Sequence, residues 1–327
     1  MIFNSEINLK LTQESGQTSQ PPWQVVDNSY CDVVEINQIP TLIKLSQDDN
    51  SYLNLEYEVP IANQNKSIDE AAIENISIDE AAIEKEVARI FDLNFDINKF
   101  YCYLASDDKL KNTIDFCKGL RLFQAKNPFE AMISSIASAN NSISRWTKST
   151  AKIREKWGNP IYFSKGTFYS FPSPDTLMSV YEDDFDEYEA CERTIEIECC
   201  MKNLKACGFG YRVPYIKKTS ELLSRDENLQ EIANMKYEEA FKTVLNLPGV
   251  GPKVADCILL YGYGFNEAFP SDVWIKRIIS HLYFNDKDIS IDKVRDFGMD
   301  KFGDNAGYVQ LYLFHYARKS GLMNKFK

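Results

Sequence analysis

The residues best suited to covalent chemistry lie near position 250, where Lys253 directly follows the run Leu-Pro-Gly-Val-Gly-Pro at 247–252. Apolar residues at helical spacing on both sides of this run predict two helices joined by a tight hairpin, with Lys253 in the first turn of the second helix. Because the helix dipole disfavours a cation there, we expect the Lys253 amine to lose its proton more readily than an ordinary lysine. An unprotonated amine is a nucleophile.

A carboxylate follows at Asp272, directly after Phe-Pro-Ser and at the predicted start of a third helix. Helix capping alone is a sufficient reason for an aspartate at this position. The hairpin would expose backbone N–H groups at a helix start, and such groups bind phosphate without a charged side chain. For the hairpin alone, a purely structural turn is an open alternative. The order of hairpin, lysine and Pro-x-Asp is a far more specific combination.

The elements that must position these residues divide the chain into two parts. Residues 53–59 alternate between apolar and polar side chains, which is the period-two pattern of a half-buried strand, and shorter apolar runs precede them. From about residue 98 the apolar spacing becomes helical, for example in a helix that begins at Pro128. We therefore predict an α+β fold, with an N-terminal antiparallel β-sheet domain that also contains helices at 1–125 and a mainly α domain at 126–327.

An internal repeat lies within the first part. The segment SIDEAAIE occupies 67–74 and occurs again at 77–84. Each copy begins with Ser-x-x-Glu, the capping-box pattern, so we predict a helix that starts at Ser77 and continues through Val87 and Ile90. Two copies are too few for a solenoid, and we expect no chemistry from the repeat.

The formal net charge of −11 argues against a nucleic-acid partner when it is taken alone. The acidic residues are concentrated in two segments, 66–86 and 182–198, and without these segments the chain is close to neutral. Two stretches, 145–156 and 202–218, are rich in lysine and arginine. We therefore expect two local basic surfaces able to contact phosphate, with the acidic segments facing away from them.

Several other classes of protein are disfavoured by the sequence. It contains no apolar run of about 20 residues, and its first residues lack the layout of a signal peptide. We expect a cytoplasmic protein whose eight cysteines are thiols. Four of these cysteines lack the paired spacing of a zinc site, and we expect them to be buried: Cys191, Cys199, Cys200 and Cys207.

The run LPGVGPKVADCILL, followed by FPSDVWIKR, resembles the helix-hairpin-helix Gly/Pro/Asp superfamily of DNA glycosylases. Within this superfamily the chain is similar to the 8-oxoguanine DNA glycosylases of the eukaryotic type, which some bacteria also have, and we expect a bacterial member. Further ordered matches are LTQESGQ at 11–17, SIASANNSISR at 135–145, CGFGYR at 207–212 and AGYVQLYLF at 306–314. The second of these resembles a helix that carries paired asparagines and an arginine.

The resemblance implies a catalytic pair and a base pocket. Lys253 would attack C1′ of the damaged nucleotide, and Asp272 would stabilise the positive charge that develops on the sugar. The pocket implied by the resemblance consists of Gly16, Cys257, Pro270, Gln310 and Phe314. The Gly16 carbonyl would accept the N7–H that distinguishes 8-oxoguanine from guanine. From the residues alone, Cys257 and Phe314 would fit a helical core, Gln310 an exposed site and Gly16 an ordinary turn.

The resemblance also implies a set of DNA contacts. Asn140, Arg145 and Arg212 would contact the orphaned cytosine, and Tyr211 would fill the emptied stack; from its own position, Asn140 could equally be a hydrogen-bonding residue inside a helix. Gly249, Gly251 and Trp274 would lie along the phosphates. Trp274 stands where many relatives have a histidine, and we expect it to pack against the 5′ phosphate region. The carbonyl groups of Leu247, Gly249 and Val250 would hold a monovalent cation, K⁺ or Na⁺.

The implied function is base-excision repair of 8-oxoguanine and related oxidised purines, through a Schiff base to Lys253 followed by strand nicking. The implied partner is duplex DNA with 8-oxoguanine opposite cytosine, bound by a monomer that requires no cofactor. No cysteine follows Cys257, which argues against an iron–sulfur cluster. Two alternatives stay open: a monofunctional alkylated-base glycosylase, against which Lys253 argues, and a non-enzymatic helix-hairpin-helix DNA-binding module, against which Asp272 argues.

Overall fold

The computed structural model describes residues 1–3, 5–48, 52–61, 79–180, 203–225 and 231–322. The acidic segment 182–198, most of the repeat, and Cys191, Cys199 and Cys200 lie outside these described residues. Among the described helices, none combines the length and the apolar character needed to span a membrane.

The N-terminal part contains an antiparallel sheet, as the sequence predicts. Its strands are β1 (Ile2–Phe3), β2 (Gln24–Val26), β3 (Ser29–Ile36), β4 (Ile39–Gln47) and β5 (Leu53–Glu58). In the described part of the chain they lie in the order β1-β5-β4-β3-β2, and each neighbouring pair is antiparallel. On β5, Leu53 and Leu55 are buried and Glu56 is exposed, so the period-two pattern separates the core face from solvent.

Helices pack against the sheet and form most of the C-terminal part. The first four are α1 (Leu9–Glu14), α2 (Glu80–Ile90), α3 (Ile97–Ala105) and α4 (Thr113–Phe116). The others are α5 (Pro128–Ser138), α6 (Ile143–Trp157), α7 (Pro174–Ser179), α8 (Val213–Arg225), α9 (Tyr237–Leu245), α10 (Pro252–Ile258), α11 (Val273–Tyr283), α12 (Ile291–Phe302) and α13 (Ala306–Lys319). A short β-hairpin follows α6, with strands β6 (Pro160–Phe163) and β7 (Gly166–Tyr169).

The predicted hairpin joins α9 to α10. Pro252 is the first residue of α10, where its missing N–H is harmless and its fixed φ suits the helix. The helix continues beyond Ile258 as a π-helical turn, Leu259–Tyr263. Apolar side chains of α10, α11 and α13, such as Ile258, Ile275 and Leu313, are fully buried in one core, which fixes these three helices relative to one another.

A buried charge network connects the sheet to the helices. Asp32 of β3 is ion-paired with Lys126 and with Arg154 of α6, and the Arg154 Nη1 to Asp32 Oδ2 distance is 2.7 Å. Arg154 also donates from Nε to Glu130 Oε1 of α5 at 2.9 Å. Although burial raises the pKa of Asp32, the two cations outweigh it and hold that pKa below its ordinary value. The network therefore consists of charged groups that balance one another.

Three details differ from the sequence predictions. Asp79, rather than Ser77, is the N-cap of α2, where its side chain accepts from the Ala82 N–H; Ser77 itself lies outside the described residues. The β6–β7 hairpin lies within the part predicted as mainly helical. Arg154 belongs to the basic stretch 145–156 but points into the charge network, because two buried carboxylates neutralise it there.

Candidate active site

One cavity of about 60 Å³ gathers the implied catalytic and pocket residues from distant parts of the chain. Its lining is Ser15, Gly16, Gln17, Thr18, Lys253, Cys257, Tyr261, Pro270, Asp272, Gln310, Leu311 and Phe314. These residues come from the segment after α1, from α10 and its π-helical continuation, from the start of α11, and from α13. The cavity is much smaller than the roughly 300–1,000 Å³ of a typical ligand pocket, so it must widen to admit a base.

Asp272 serves as a helix cap and also faces this cavity. Its Oδ1 atom accepts hydrogen bonds from the N–H groups of Trp274 at 2.9 Å and Ile275 at 2.8 Å. The capping interpretation of this aspartate is therefore correct. The same two bonds fix the direction of the carboxylate at the cavity wall, where Lys253 is its neighbour.

Lys253 is the second residue of α10 and is half-buried. Burial lowers its pKa, but the interaction with Cys257 and, after it, the charge of Asp272 outweigh burial, so the pKa of Lys253 lies above its ordinary value. The expectation of an easily deprotonated amine is therefore wrong for the empty site. The helix dipole considered in that expectation is opposed by a carboxylate that the fold brings close.

Cys257 lies one helical turn after Lys253 and is buried. Burial raises the pKa of the Cys257 thiol, so this group is neutral at physiological pH. The thiol interacts with Lys253 and Thr18, and the Thr18 hydroxyl lies 2.9 Å from the hydroxyl of Ser135. This chain of contacts holds the segment after α1 against α10 and α5.

Gln310 presents an unused acceptor to the cavity. Its side chain is 6 % exposed, and its Oε1 atom is buried without a hydrogen-bond partner among the described residues. Buried polar atoms are rarely left unpaired in folded proteins, and an exception marks a site where a ligand or water completes the bonding. The interpretation of Gln310 as an exposed residue is wrong.

Phe314 is half-buried at the same cavity. Its ring lies 5.4 Å from the guanidinium carbon of Arg318, and Arg318 Nη1 donates to the Ser15 carbonyl at 3.0 Å. The arginine therefore links the aromatic wall on α13 to the segment that carries Gly16. An aromatic face held in this way is available for stacking against a flat group.

Gly16 has a backbone conformation and a packing position that require glycine. Its φ is +87°, and a Cβ atom at this residue would lie 2.3 Å from Cδ1 of Ile143. The adjacent Gln17 is anchored because it donates to the Arg121 carbonyl and accepts from the Phe123 N–H, at 2.9 and 2.8 Å. The turn is therefore fixed by contacts from both parts of the chain.

The implied contacts to the orphaned cytosine lie together at a second location. Arg212 is 7 % exposed and donates to the carbonyl oxygens of Ala139 and Asn140, with Nη2 to Asn140 O at 3.0 Å. Asn140 itself is exposed, and its φ is +48°. It lies in the turn between α5 and α6, so both the helix that was to carry the asparagines and the helix-interior alternative are wrong. Asparagine tolerates this left-handed conformation better than most residues.

The remaining implied DNA contacts extend this exposed face. Tyr211 is 58 % exposed, and its ring lies 4.3 Å from the guanidinium carbon of Arg212. Arg145 is exposed in the first turn of α6. Tyr215, at the start of α8, packs on Gly249 of the hairpin, so that the Tyr211 turn and the hairpin are in contact. In the second basic stretch, Lys217 is bound to the Val180 carbonyl and Lys218 to Glu221, which reduces the basic surface expected there.

The residues of the implied cation site, Leu247, Gly249 and Val250, lie in the turn between α9 and α10. Gly249 has φ +76°, and the Val250 N–H donates to the Leu247 carbonyl at 3.1 Å. Gly251 is the N-cap of α10, with an extended backbone and no side-chain capping bond. The first N–H groups of α10 are therefore not bound by a capping side chain.

Sequence reasoning missed several residues of the cavity. Gln17 and Thr18 follow Gly16, and Leu311 follows Gln310, so their closeness to the cavity could have been inferred from these neighbours. The sequence pattern did not indicate that Tyr261 faces the cavity, because this residue lies on a π-helical turn that shifts the helical register.

Comparisons with known proteins show the family to which the chain belongs. Residues 133–302 match the model of the HhH-GPD superfamily base excision DNA repair protein, and residues 1–132 match the N-terminal domain of 8-oxoguanine DNA glycosylase. The chain is 40 % identical to a probable N-glycosylase/DNA lyase of Methanothermobacter thermautotrophicus, over 98 % of this chain and 97 % of that protein. The chain belongs to the HhH-GPD superfamily of base excision DNA repair proteins.

Two further similarities extend over nearly the whole chain. An N-glycosylase/DNA lyase of Saccharomyces cerevisiae is 27 % identical, over 96 % of this chain and 84 % of that protein. The structure of the Clostridium acetobutylicum 8-oxoguanine glycosylase/lyase, in complex with double-stranded DNA containing cytosine opposite 8-oxoguanine, superimposes with a TM-score of 0.72. The two chains are 28 % identical, and the match covers 98 % of each.

Proposed function

We propose that this protein is a bifunctional DNA glycosylase and lyase that excises 8-oxoguanine and related oxidised purines from duplex DNA. The observation that carries the proposal is a single cavity lined by an amine, a capped carboxylate, an unpaired amide oxygen and an aromatic ring: Lys253, Asp272, Gln310 and Phe314. This set matches a reaction in which a flat base is held while the sugar beside it is attacked.

The proposed reaction uses Lys253 as the nucleophile. Its nitrogen forms a bond to C1′ as the bond from C1′ to N9 of the base breaks, and Asp272 stabilises the positive charge on the sugar. Opening of the sugar ring then gives a Schiff base between C1′ and the lysine nitrogen. Loss of a C2′ proton and cleavage of the C3′–O3′ bond nick the strand on the 3′ side of the lesion.

The raised pKa of Lys253 requires that its ammonium group lose a proton before attack. The departing base needs one proton at N9. Transfer of the lysine proton to the base would therefore leave a neutral amine and protonate the leaving group. The charge of Asp272, which accepts backbone hydrogen bonds through Oδ1, would stabilise the ammonium until a nucleotide enters.

Recognition of the base would use the remaining groups of the cavity. The Gln310 Oε1 atom would accept from the edge of the base, and the Gly16 carbonyl would accept the N7–H of 8-oxoguanine. Phe314 and the neutral thiol of Cys257 would contact its two faces. Glycosylases extrude the target nucleotide, and a damaged base costs less to unstack than a normal one.

Recognition of the opposite strand would use the face formed by Asn140, Arg145, Tyr211 and Arg212. We propose that Arg212, which holds the Asn140 turn in the free protein, helps to read an orphaned cytosine. The hairpin would bind phosphate through the backbone of Gly249 and Gly251, with a monovalent cation on the carbonyl groups of Leu247, Gly249 and Val250. The indole of Trp274 would lie beside the phosphates.

A monofunctional alkylated-base glycosylase is the alternative enzyme. Such an enzyme needs the carboxylate but has no need for an amine at the cavity wall, whereas Lys253 lies there beside Asp272. The geometry therefore favours the lyase.

The test is borohydride trapping on 8-oxoguanine duplexes with each of the four bases opposite the lesion. We expect a covalent complex, formed fastest opposite cytosine, that is absent in Lys253→Gln. Lys242→Gln is the matched control, because this exposed lysine of α9 carries the same charge outside the cavity. Trapping that survives in Lys253→Gln would contradict the nucleophile assignment. Equal rates opposite all four bases would contradict the roles of Asn140, Arg145 and Arg212.

A further inference from the structure

Helix α11 carries an arginine that the reaction described above does not use. Arg277 is exposed, and its guanidinium carbon lies 5.0 Å from the centroid of the Trp274 ring, one helical turn towards Asp272. Trp274 is itself 40 % exposed. The buried stripe of the helix runs along Ile275 and Ile278, so the tryptophan and the arginine share the opposite, solvent-facing side.

Most described arginines have a guanidinium group bound to an acceptor, whereas Arg277 does not. Seven of them have guanidinium groups bound to carboxylates or backbone carbonyl groups: Arg89, Arg121, Arg154, Arg212, Arg225, Arg295 and Arg318. In the described residues, Arg145 and Arg277 are without such a partner. Arg145 lies at the start of α6 on the cytosine-reading face, whereas Arg277 lies on the side of the catalytic carboxylate.

Nearby acidic residues do not neutralise Arg277. Asp288 is paired with Lys276 at 2.6 Å, and Asp286 is bound to His281 at 2.8 Å. The contact with the Trp274 ring restricts the guanidinium group but leaves its N–H donors unused, because the ring face offers no hydrogen-bond acceptor atom. A planar guanidinium held in this way is suited to bidentate binding of phosphate.

Arg277 lies close to the catalytic carboxylate along helix α11. It follows Asp272, the N-cap of this helix, by five residues, which is about 7.5 Å along the axis at about 1.5 Å per residue. Because a long guanidinium side chain can extend over this distance, a backbone phosphate next to a nucleotide held at Asp272 would lie within reach of Arg277.

We propose that Arg277, oriented by Trp274, binds a backbone phosphate of the damaged strand close to the flipped nucleotide. The inference rests on the proposed glycosylase function and adds a residue to it. Trp274 is the positioning residue, and Arg277 supplies the charge that an indole at this position lacks.

The test compares the salt dependence of DNA binding in variants of the full chain that also carry Lys253→Gln, so that the DNA is not cut. Binding to an 8-oxoguanine duplex is measured by fluorescence anisotropy between about 50 and 200 mM KCl. Arg277→Gln should weaken binding severalfold and make the slope of log K against log salt shallower by about one unit. Lys276→Gln, the matched control on the same helix, should leave the slope unchanged because Asp288 already neutralises this lysine.

Two further variants separate charge from orientation. Arg277→Lys should restore the slope, since it keeps the charge, but should recover only part of the affinity. Trp274→Ala should weaken binding while keeping most of the slope, and adding Arg277→Gln to it should then make the slope shallower by about one unit. Equal slopes for Arg277→Gln and Lys276→Gln would overturn the phosphate contact. Wild-type affinity in Trp274→Ala would overturn the positioning role.

Failure of the Arg277 inference can be distinguished from failure of the proposed glycosylase function. If the parent chain with Lys253 intact forms no trapped complex with 8-oxoguanine DNA, the glycosylase proposal fails, whatever the salt slopes are. If trapping is normal and the slope of Arg277→Gln equals that of its parent, only the Arg277 inference fails.

Discussion

The hairpin contains two glycines, two positions apart, that should respond in opposite ways to the same substitution. Gly249 has φ +76°, and a Cβ atom there would lie 2.5 Å from Cδ2 of Tyr215. Gly251 has φ −99°, and a Cβ atom there would meet nothing within 4 Å. We therefore expect Gly249→Ala to destabilise the protein and disrupt DNA binding, and Gly251→Ala to do neither.

The magnitude follows from two separate costs at Gly249. An alanine in the left-handed region costs about 1–2 kcal/mol, and forcing an atom against a packed ring costs about 1–3 kcal/mol. The sum, roughly 2–5 kcal/mol, is a large fraction of the about 5–15 kcal/mol by which domains are stable. At Gly251 the lower entropy of the unfolded chain favours alanine by about 0.4–1 kcal/mol, and the weaker capping preference of alanine offsets much of that.

The assay is urea unfolding of both variants, together with their affinity for an undamaged duplex. Tyr215→Ala in the Gly249→Ala background isolates the contact, because it removes the ring and leaves the backbone strain. It should restore the part of the stability that the clash removes. Equal free energies of unfolding for Gly249→Ala and Gly251→Ala would refute the reasoning, as would full recovery by Tyr215→Ala, since that would leave no cost for the left-handed backbone.

Two other predictions concern α13. Burial and the nearby cations Arg318 and Lys319 lower the pKa of His315 to about 4, from 6.5. The unfolded chain therefore takes up a proton between these values while the native state does not, so stability falls as the pH falls from about 6.5 to 4, by at most about 3 kcal/mol. Unfolding measured in that window should show a smaller loss of stability in His315→Gln than in the parent chain, and an equal loss in both would contradict the prediction. Phe314→Ala should slow excision of 8-oxoguanine by the about 1–3 kcal/mol of base stacking in single-turnover assays, and an unchanged rate would exclude it from the pocket.

Most of the architecture was predictable because its signals are local. The alternation in residues 53–59 predicted β5, and Pro128 predicted the start of α5. The glycines at 247–252 predicted the turn between α9 and α10. Each of these features depends on residues within one or two turns of chain. The β6–β7 hairpin was missed because its four-residue strands are too short for a periodic pattern.

Features that depend on tertiary neighbours were not predictable in this way. Arg154 and Arg277 are the same residue type on exposed-looking helical stretches, yet one is neutralised by Asp32 and Glu130 and the other stacks on Trp274. Composition counts both as basic residues. The fold decides which of them retains a charge that a phosphate can use, so the net charge of −11 says little about binding to DNA.

The shift in the pKa of Lys253 depends on a local effect that the sequence shows and on tertiary contacts that it does not. A helix N-terminus disfavours a nearby cation by about 0.3–1 kcal/mol. Interactions with Cys257 and the charge of Asp272 act in the opposite direction and raise the pKa of Lys253. The sequence places Lys253 in the first turn of its helix but separates it from Asp272 by 19 residues, so only the dipole effect was evident. Once the fold brings these side chains to one cavity wall, their interactions outweigh burial, and the pKa of Lys253 in the empty site lies above its ordinary value.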